Sequence, residues 1–461
     1  MPDQFLSRRA APGIPESGSD IARATIESLD YEGNGVAHID GKAVFIEGAA
    51  PGDEVRFRYH NKKRKFDTGR VIEILQPSPD RVPPRCAHFG VCGGCSLQHV
   101  RPEAQLREKQ RVLRENLAHI GKVEPESWLA PLPGPVWGYR RKARLGVRVV
   151  AKKGGVLIGF REKRHSFITP LSSCDVLDPT ISALLPQLRE LIGQMSRPER
   201  MPQIEVAVGD AGAAAFYAAL VFRHLEPLSV ADIELLERFG ERHSLQIYRQ
   251  PGGPDSIVRL WPETEVALAY RLAQQGLELR FLPTDFIQVN AGANQALVTR
   301  ALQVLDPQAC EEVLDLFCGL GNFTLPLAQR ARRVVGFEAD AALVERARAN
   351  AAHNAIHNSE FHTANLYDET TPLPWGEARF DSWLIDPPRT GAMEVIKRLA
   401  QNGSGPRRIL YVSCNPGTLA RDSEVLVHVK RYRLVSAGVI DMFPHTSHVE
   451  SMALFEMAPG Q

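Results

Sequence analysis

The sequence lacks any apolar run that approaches membrane-spanning length, and its first residues lack the apolar core of a signal peptide. We therefore expect neither a membrane nor a secreted protein, and we interpret "MPDQFLSRRAAPGIPESGSD" as a polar tail of a cytoplasmic protein. The chain also lacks a charge imbalance: its formal net charge is +1 at pH 7. A surface for an acidic partner must therefore come from local clustering of cations. Internal repeats are absent too, and 461 residues of ordinary composition predict two to four globular domains.

Residues 21–76 have an all-β pattern of four or five short strands separated by Gly and Pro, with a hairpin signal at Asp40-Gly41. We expect a small barrel, since closure of the sheet removes its exposed edges. Its fourth stretch interleaves six cations with three aromatic residues: Arg56, Arg58, Lys62, Lys63, Arg64, Lys65, Phe57, Tyr59 and Phe66. Cations pair with phosphates and aromatic faces accept bases, so the stretch predicts an RNA surface. A solvated, charged edge strand is the alternative.

The middle of the chain begins with a Pro-rich linker, "QPSPDRVPPRC", and an amphipathic helix whose apolar positions are Leu106, Leu113, Leu117 and Ile120. Residues 137–290 alternate strand-like and helix-like pieces without a sharp motif. They include a second basic and aromatic stretch, "WGYRRKARLGVRV", with Arg140, Arg141, Lys142, Arg144 and Arg148 near Trp137 and Tyr139. The same two interpretations apply to it.

Cysteine is unevenly distributed: three of the seven, Cys86, Cys92 and Cys95, form a C-x5-C-x2-C set. In a cytosolic chain such crowding indicates a metal site or catalysis more often than disulfides. A fourth ligand must come from far away, and Cys174 is the best remaining thiol. Paired C-x2-C knuckles, which zinc prefers, are missing, and uneven loops with glycines favour an iron–sulfur cluster over zinc. We expect such a cluster to be structural or to position RNA.

From about residue 281, short apolar runs alternate with helical segments, which predicts a parallel sheet with helices on both faces. Ligands of such sheets bind beyond the carboxyl ends of the strands. Gly319 and Gly321 lie in the turn after the first strand, and Glu338 ends the next one. Thr324 replaces the third glycine of the dinucleotide pattern and no second half follows, so we favour S-adenosylmethionine (SAM). Cys318 in this turn is interpreted as a packed small apolar residue.

The next two strand ends carry "LIDPPR" and "SCNP". Asp386 lies on a stiff Pro-Pro turn, and Arg389, where amino-directed methyltransferases have an aromatic residue, argues against nitrogen chemistry. Pro416 suits a first helical position, so Cys414 precedes a helix N-terminus, whose partial positive charge favours the thiolate.

A thiolate has a use in methylation of uracil. C5 of uracil is a poor nucleophile, but addition of a thiolate to C6 gives an enolate whose C5 can attack the SAM methyl group. A base must then remove the C5 proton. Glu450, after a Pro/His-rich loop, is our candidate, with His445 and His448 as lower-ranked alternatives. Without Cys414 nearby, Glu450 would be interpreted as a surface acid.

Five motifs together, "FIQVN", "DLFCGLGNF", "DPPR", "SCNPGTLARD" and "FPHTSHVESM", resemble the uracil-5 methyltransferases of RNA over the whole catalytic third. The resemblance implies a multidomain α/β protein: a TRAM (OB-like) β-barrel at 16–78, a central α+β domain with a [4Fe-4S] cluster at 84–280, and a Rossmann-like class I SAM-dependent domain at 281–461. It implies Cys414 as nucleophile, Glu450 as base, and SAM contacts from Gln288, Phe317, Asn322, Glu338, Asn365 and Asp386.

The barrel and the cysteine cluster together favour 23S ribosomal RNA as substrate, presented as a single-stranded or loop segment with a flipped uridine. No membrane or protein partner is expected. A sister enzyme that methylates another 23S rRNA or tRNA uridine is the nearest alternative. A radical-SAM thiolating enzyme would have C-x3-C-x2-C and a C-terminal barrel. A non-catalytic RNA-binding protein would not need the set of Glu338, Asp386 and Cys414.

Overall fold

The chain forms two compact units, divided after Arg81. The computed structural model describes residues 20–211, 216–264, 266–399 and 405–458. The predicted polar tail up to residue 19, which includes the first four residues of the predicted barrel, lies outside the described residues.

The first unit is a six-stranded sheet with the order β1-β5-β6-β4-β3-β2. Its strands are β1 (Ile21–Thr25), β2 (Ser28–Leu29), β3 (Gly35–Ile39), β4 (Lys42–Glu47), β5 (Glu54–Lys62) and β6 (Phe66–Gln76). The two outer strands, β1 and β2, are consecutive in the chain. Between them, the Ile26 amide donates to the Asp53 carbonyl at 2.9 Å and the Glu27 amide to the Val36 carbonyl at 2.8 Å. The sheet therefore closes into a barrel, with six strands in place of the predicted four or five.

The predicted hairpin joins β3 to β4 in antiparallel register. Asp40 and Gly41 have φ of 51° and 76°, the pair of positive values that a two-residue type I′ turn requires. Alternate residues of these strands, including Ala37, Val44 and Ile46, fill the barrel interior. The hairpin prediction is confirmed.

The second unit begins with helix α1 (Pro102–Asn116) and a six-stranded sheet with the order β13-β12-β11-β10-β8-β9. Leu113 and Leu117 of the predicted amphipathic helix are buried, whereas Ile120 is exposed. The elements after α1 are β7 (Ser127–Trp128), β8 (Lys142–Val150), β9 (Gly155–Gly159), α2 (Pro179–Gln194), β10 (Gln203–Val208), β11 (Ala218–Arg223), α3 (Val230–His243), β12 (Gln246–Gln250) and β13 (Val258–Trp261). A hairpin of β14 (Leu268–Leu272) and β15 (Leu277–Phe281) follows.

The C-terminal part contains an eight-stranded sheet with the order β18-β17-β16-β19-β20-β22-β21-β7. Its elements are α4 (Ala291–Leu305), β16 (Glu312–Leu316), α5 (Thr324–Ala328), β17 (Arg333–Glu338), α6 (Ala341–His353), β18 (Ser359–Thr363), β19 (Ser382–Ile385), α7 (Met393–Lys397), β20 (Arg408–Ser413), α8 (Pro416–Glu424), β21 (Tyr432–Ile440) and β22 (Glu450–Met457). Strands β16 to β20 pair in parallel, and β22 inserts antiparallel between β20 and β21.

Both faces of this sheet are buried, as a doubly wound sheet requires. Along β20, Ile409 and Tyr411 pack into one apolar core and Leu410 and Val412 into another. The predicted parallel sheet is therefore present. Strand β7 extends the sheet although it precedes the predicted domain boundary at 281, so that boundary stays a prediction.

Candidate functional site

The chemistry-bearing residues lie at one edge of the C-terminal sheet. Glu338 ends β17, Asp386 follows β19, and Cys414 follows β20. The turn at 317–321 follows β16. Because these strands are parallel, their carboxyl ends meet at the same edge. The sequence prediction of a common edge is therefore consistent with the topology.

The glycine turn and Glu338 form one hydrogen-bonded structure. The Gly319 amide donates to Glu338 Oε2 at 3.1 Å, and the Ala339 and Asp340 amides donate to Oε1 at 2.7 and 3.1 Å. Gly319 and Gly321 have φ of 55° and 96°, and a Cβ at Gly319 would meet nothing within 4 Å. The turn thus leaves open space beside a fixed carboxylate, the arrangement that binds ribose hydroxyls at such edges.

The other implied SAM contacts differ in the exposure of their side chains and in the contacts that these side chains already make. Gln288 is half-buried and Asn365 is exposed, two residues beyond β18. Phe317 packs against Tyr367 with ring centroids 5.6 Å apart. The amide of Asn322 is engaged, since it exchanges hydrogen bonds with Asn294 at 2.9 and 3.0 Å.

The sequence analysis assigned no role to one exposed aromatic side chain in this region. Phe286 lies two residues before Gln288 and is 71% exposed. An exposed ring beside a cofactor segment is a surface on which a base can stack.

Cys414 and Glu450 face each other across two neighbouring strands. Strands β20 and β22 pair antiparallel with Ser413 opposite Ser451, so continuation of this register sets Cys414 opposite Glu450. The Ser451 hydroxyl donates to the Ser413 carbonyl at 3.1 Å and fixes the pair. Helix α8 begins at Pro416, as predicted, with Asn415 as its N-cap. The register therefore sets Cys414 and Glu450 on the same face of the sheet.

The pKa values of these groups are raised, not lowered. Burial, followed by the charges of Glu450 and Asp386, raises the pKa of Cys414 to about 11. Burial, followed by the charge of Asp386, raises the pKa of Glu450 to about 8, and burial raises that of Asp386 to about 7. The favourable effect of the helix N-terminus on the thiolate therefore stays a prediction, and desolvation and two carboxyl groups act against it.

Arg389 is a cation that acts on both Cys414 and Glu450. Its guanidinium opposes the rise in the pKa of both Cys414 and Glu450, and its Nη2 lies 3.2 Å from His448 Nδ1. Burial and the charge of Arg389 lower the pKa of His448 to about 4. His448 is therefore a neutral hydrogen-bond acceptor and a weak base.

His445 is engaged by structural contacts. Its ring stacks on Trp137 with centroids 3.9 Å apart, and its Nδ1 lies 3.1 Å from Gln105 Nε2. Its carbonyl accepts from the amides of Ser96 and Leu97 at 2.8 and 2.9 Å. Of the three candidate bases, Glu450 is the one that the continued strand register sets opposite Cys414.

Two buried polar residues of α1 hold the loop before Glu450, and sequence reasoning missed both. Gln105 Oε1 accepts from the His445 amide at 2.8 Å, and its Nε2 donates to the Leu97 carbonyl at 3.0 Å. Lys109 Nζ lies 2.7 Å from Asp441 Oδ1. In the sequence, these two polar residues fall on the apolar face of an amphipathic helix, and this could have indicated that they have buried partners. The loop after the cysteine motif and the loop before Glu450 are thus joined.

The four predicted metal ligands lie near one another. Burial raises the pKa of Cys95 to about 12, and the charges of Cys174, Cys92 and Cys86 contribute to the rise. The Gly94 amide donates to Cys92 Sγ at 3.4 Å. Within the described ranges, no group of three or more His, Cys, Asp or Glu side chains has a geometry that could hold a metal ion. Four cysteine thiols are the ligands that an iron–sulfur cluster requires, so the residue types fit such a cluster. The positions of the side chains among the described residues do not form a metal site.

The predicted RNA surface of the barrel is exposed over residues 60–65. Some of its cations have partners: Arg56 pairs with Glu73 at 2.6 Å, and Lys62 Nζ lies 4.3 Å from the centre of the Tyr59 ring. In the part of the chain that the structure describes, no helix has both the length and the apolar character needed to span a bilayer.

Two family models match the chain. The model described as tRNA (Uracil-5-)-methyltransferase matches residues 260–458, and the TRAM domain model matches residues 20–72. The fold and site thus define a class of protein: a SAM-dependent methyltransferase with an N-terminal TRAM domain.

Similar proteins narrow the class. The chain is 53% identical over 431 residues to the 23S rRNA (uracil(1939)-C(5))-methyltransferase RlmD of Thiobacillus denitrificans, covering 94% of this chain and 98% of that protein. It is 54% identical over 437 residues to the RlmD protein of Nitrosococcus oceani, covering 94% and 96%. The chain therefore belongs to the family of RNA uracil-5 methyltransferases.

A solved structure agrees with this assignment. The crystal structure of the Pyrococcus abyssi tRNA (uracil-54, C5)-methyltransferase in complex with S-adenosyl-L-homocysteine is 26% identical in sequence, with a TM-score of 0.70. The match covers 94% of this chain and 100% of that one.

Proposed function

We propose that this protein methylates C5 of a uridine in 23S rRNA, the one at position 1939 that the names of its relatives specify, through a covalent bond between Cys414 and C6 of the base. The observation that carries the proposal is the register of β20 and β22, whose continuation sets Cys414 opposite Glu450 at the sheet edge that also holds the glycine turn. An N-alkylating enzyme has no need of a thiol opposite a buried carboxyl group.

The residues would act in sequence as follows. Bound SAM supplies an electrophilic methyl group and a positive charge. Cys414 Sγ adds to C6 of uracil, and the electrons of the C5–C6 double bond move toward the C4 carbonyl as an enolate. C5 then forms its bond to the methyl group while the bond between that methyl group and the sulfonium sulfur breaks, and the sulfur leaves as a neutral thioether. Glu450 as carboxylate takes the C5 proton, the C6–S bond breaks, and the thiolate of Cys414 is released.

The raised pKa values give the site its conditions for activity. A thiol with a pKa of about 11 loses its proton more readily when a cation binds at the same edge, because a nearby positive charge lowers its pKa. Glu450 must be ionised to accept a proton. The pH dependence of kcat/KM reports ionisations of the free enzyme. The pKa of Glu450, about 8, therefore predicts that ionisation of this carboxyl group makes kcat/KM rise as the pH increases through about 8.

The residues that would hold SAM are those of the sheet edge. Glu338 would accept from the ribose hydroxyls, and the open space beside Gly319 would admit the cofactor against the backbone. We assign Gln288, Phe317, Asn322, Asn365 and Asp386 as the further contacts, on the resemblance together with their positions.

We also propose a [4Fe-4S] cluster held by Cys86, Cys92, Cys95 and Cys174. Its support is that Cys174, distant in sequence, lies close enough to Cys92 and Cys95 to affect their pKa values, and that Cys86 in turn affects the pKa of Cys174. Burial favours the protonated form of Cys92, Cys95 and Cys174, and ligation by iron would hold these cysteines as thiolates. The cluster would serve structure or RNA positioning, and no step of methyl transfer passes through it.

The test of the function is to map 5-methyluridine in 23S rRNA from cells without this gene and from cells complemented with the wild-type gene or with Cys414→Ala. We expect one uridine to lose its methyl group and only the wild-type gene to restore it. Methylation of a different 23S uridine, or of a tRNA transcript by the purified enzyme, would support the sister activity instead. A similarity to the Pyrococcus abyssi tRNA enzyme makes tRNA the control substrate.

A further inference from the structure

The basic stretch at 137–148 is mostly neutralised by the protein itself. Three of its five cations bind protein acceptors at 2.5–2.9 Å: Arg141 with Asp210, Lys142 with the carbonyls of Pro283 and Asp285, and Arg144 with Glu205. Arg148 is exposed to solvent. These four cations need no further partner.

Arg140 differs from the other four. It is half-buried, and its side chain makes no hydrogen bond or ion pair with any residue that the structure describes. Its Nε is buried and unpartnered. A guanidinium without a protein acceptor costs free energy, and because the residue is only half-buried, the part of its side chain that reaches solvent is available to a ligand with acceptor oxygens.

The backbone holds Arg140 beside the catalytic loop. Its amide donates to the Val176 carbonyl at 2.8 Å, and its backbone forms an isolated bridge with Asn290, two residues beyond Gln288. The hydroxyl of the preceding Tyr139 donates to the Pro444 carbonyl at 2.9 Å. Arg140 therefore lies among the SAM segment, the loop before Glu450 and the segment after Cys174.

Two guanidinium groups act on His448 from different elements. Arg389 contacts the His448 ring at 3.2 Å, and the charges of Arg389, Lys109 and Arg140 all contribute to the low pKa of this histidine. Lys109 already has Asp441 as its partner at 2.7 Å. Arg140 is therefore a cation near His448 whose Nε has no acceptor among the described residues.

We propose that Arg140 binds a phosphate of the RNA backbone next to the flipped target uridine. The guanidinium presents paired N–H donors that match the oxygens of a phosphate, which makes arginine a preferred phosphate ligand. The proposal rests on the proposed function, since it requires an RNA substrate at this edge.

The first test compares steady-state methylation of a 23S rRNA fragment by the wild-type enzyme, Arg140→Gln and Arg148→Gln. Loss of one charge-assisted contact predicts that Arg140→Gln raises KM for RNA about tenfold. We expect kcat at saturating RNA and the affinity for SAM to be unchanged. Arg148→Gln, the matched control in the same stretch, should change KM less than about twofold. A fall in kcat with an unchanged KM would overturn the proposal, since it would indicate contact with the base.

The second test changes the substrate. A neutral methylphosphonate is introduced, one position at a time, at the phosphates flanking the target uridine. At one position the wild-type enzyme should lose about tenfold in kcat/KM, while Arg140→Gln should lose nothing more. Losses that multiply at every position would contradict the assignment. If the wild-type enzyme methylates only a tRNA transcript, the proposed substrate fails, and the same scan on that transcript still decides the role of Arg140.

Discussion

The opposing effects of Glu450 and Arg389 on Cys414 can be measured directly. Residues opposite each other in an antiparallel pair have Cβ atoms about 5 Å apart. At an effective dielectric constant of about 20, a unit charge at this distance contributes about 3 kcal/mol, or about 2 pKa units. Glu450→Gln should therefore lower the pKa of Cys414 from about 11 to about 9. Arg389→Gln should raise it, because the arginine charge favours the thiolate.

The assay is the rate of alkylation of Cys414 by iodoacetamide as a function of pH, followed by mass spectrometry of the peptide that contains it. The control is Glu424→Gln, an exposed acid at the end of the same helix α8, which should leave the midpoint unchanged. A midpoint that stays at about 11 or rises in Glu450→Gln would refute the proposed juxtaposition of thiol and carboxyl group.

Three further predictions follow from other parts of the chain. Cys174→Ser should lose iron from anaerobically purified protein, whereas Cys310→Ser, at an exposed cysteine, should keep about four irons per chain; stoichiometric zinc in fully active protein would contradict this. Replacement of the three cations at 63–65 by Ser should weaken RNA binding and reduce its salt slope by about 2, with SAM binding unchanged; an equal slope would show a solvated surface. Gln105→Leu should slow release of the methylated RNA more than it slows adduct formation, because it frees the loop before Glu450; equal slowing would exclude a positioning role.

The sequence was sufficient for features that depend on local pattern. The strand ends that carry Glu338, Asp386 and Cys414 follow from alternating apolar runs, since parallel strands bring their carboxyl ends together. The hairpin at Asp40-Gly41 and the start of helix α8 at Pro416 follow from turn and capping chemistry.

Features that depend on long-range packing were out of reach. The position of Glu450 opposite Cys414 is set by the antiparallel register of β22, which no local signal in the sequence specifies. The rise in the pKa of Cys414 was out of reach for the same reason. A helix N-terminus can be predicted from "SCNP", whereas the burial that acts against it depends on the whole fold. The contacts of Gln105 with the loop at His445 join segments from opposite ends of the second unit.

The most direct test of the central claim is denaturing electrophoresis of Glu450→Gln incubated with SAM and a 23S rRNA fragment. We predict a protein–RNA conjugate that survives denaturation, with the methyl group already on the trapped base and the bond on Cys414, since nothing efficient removes the C5 proton. Cys414→Ala and the double variant should form none. A conjugate attached at another residue, or formed equally by Cys414→Ala, would contradict the role of Cys414 as nucleophile.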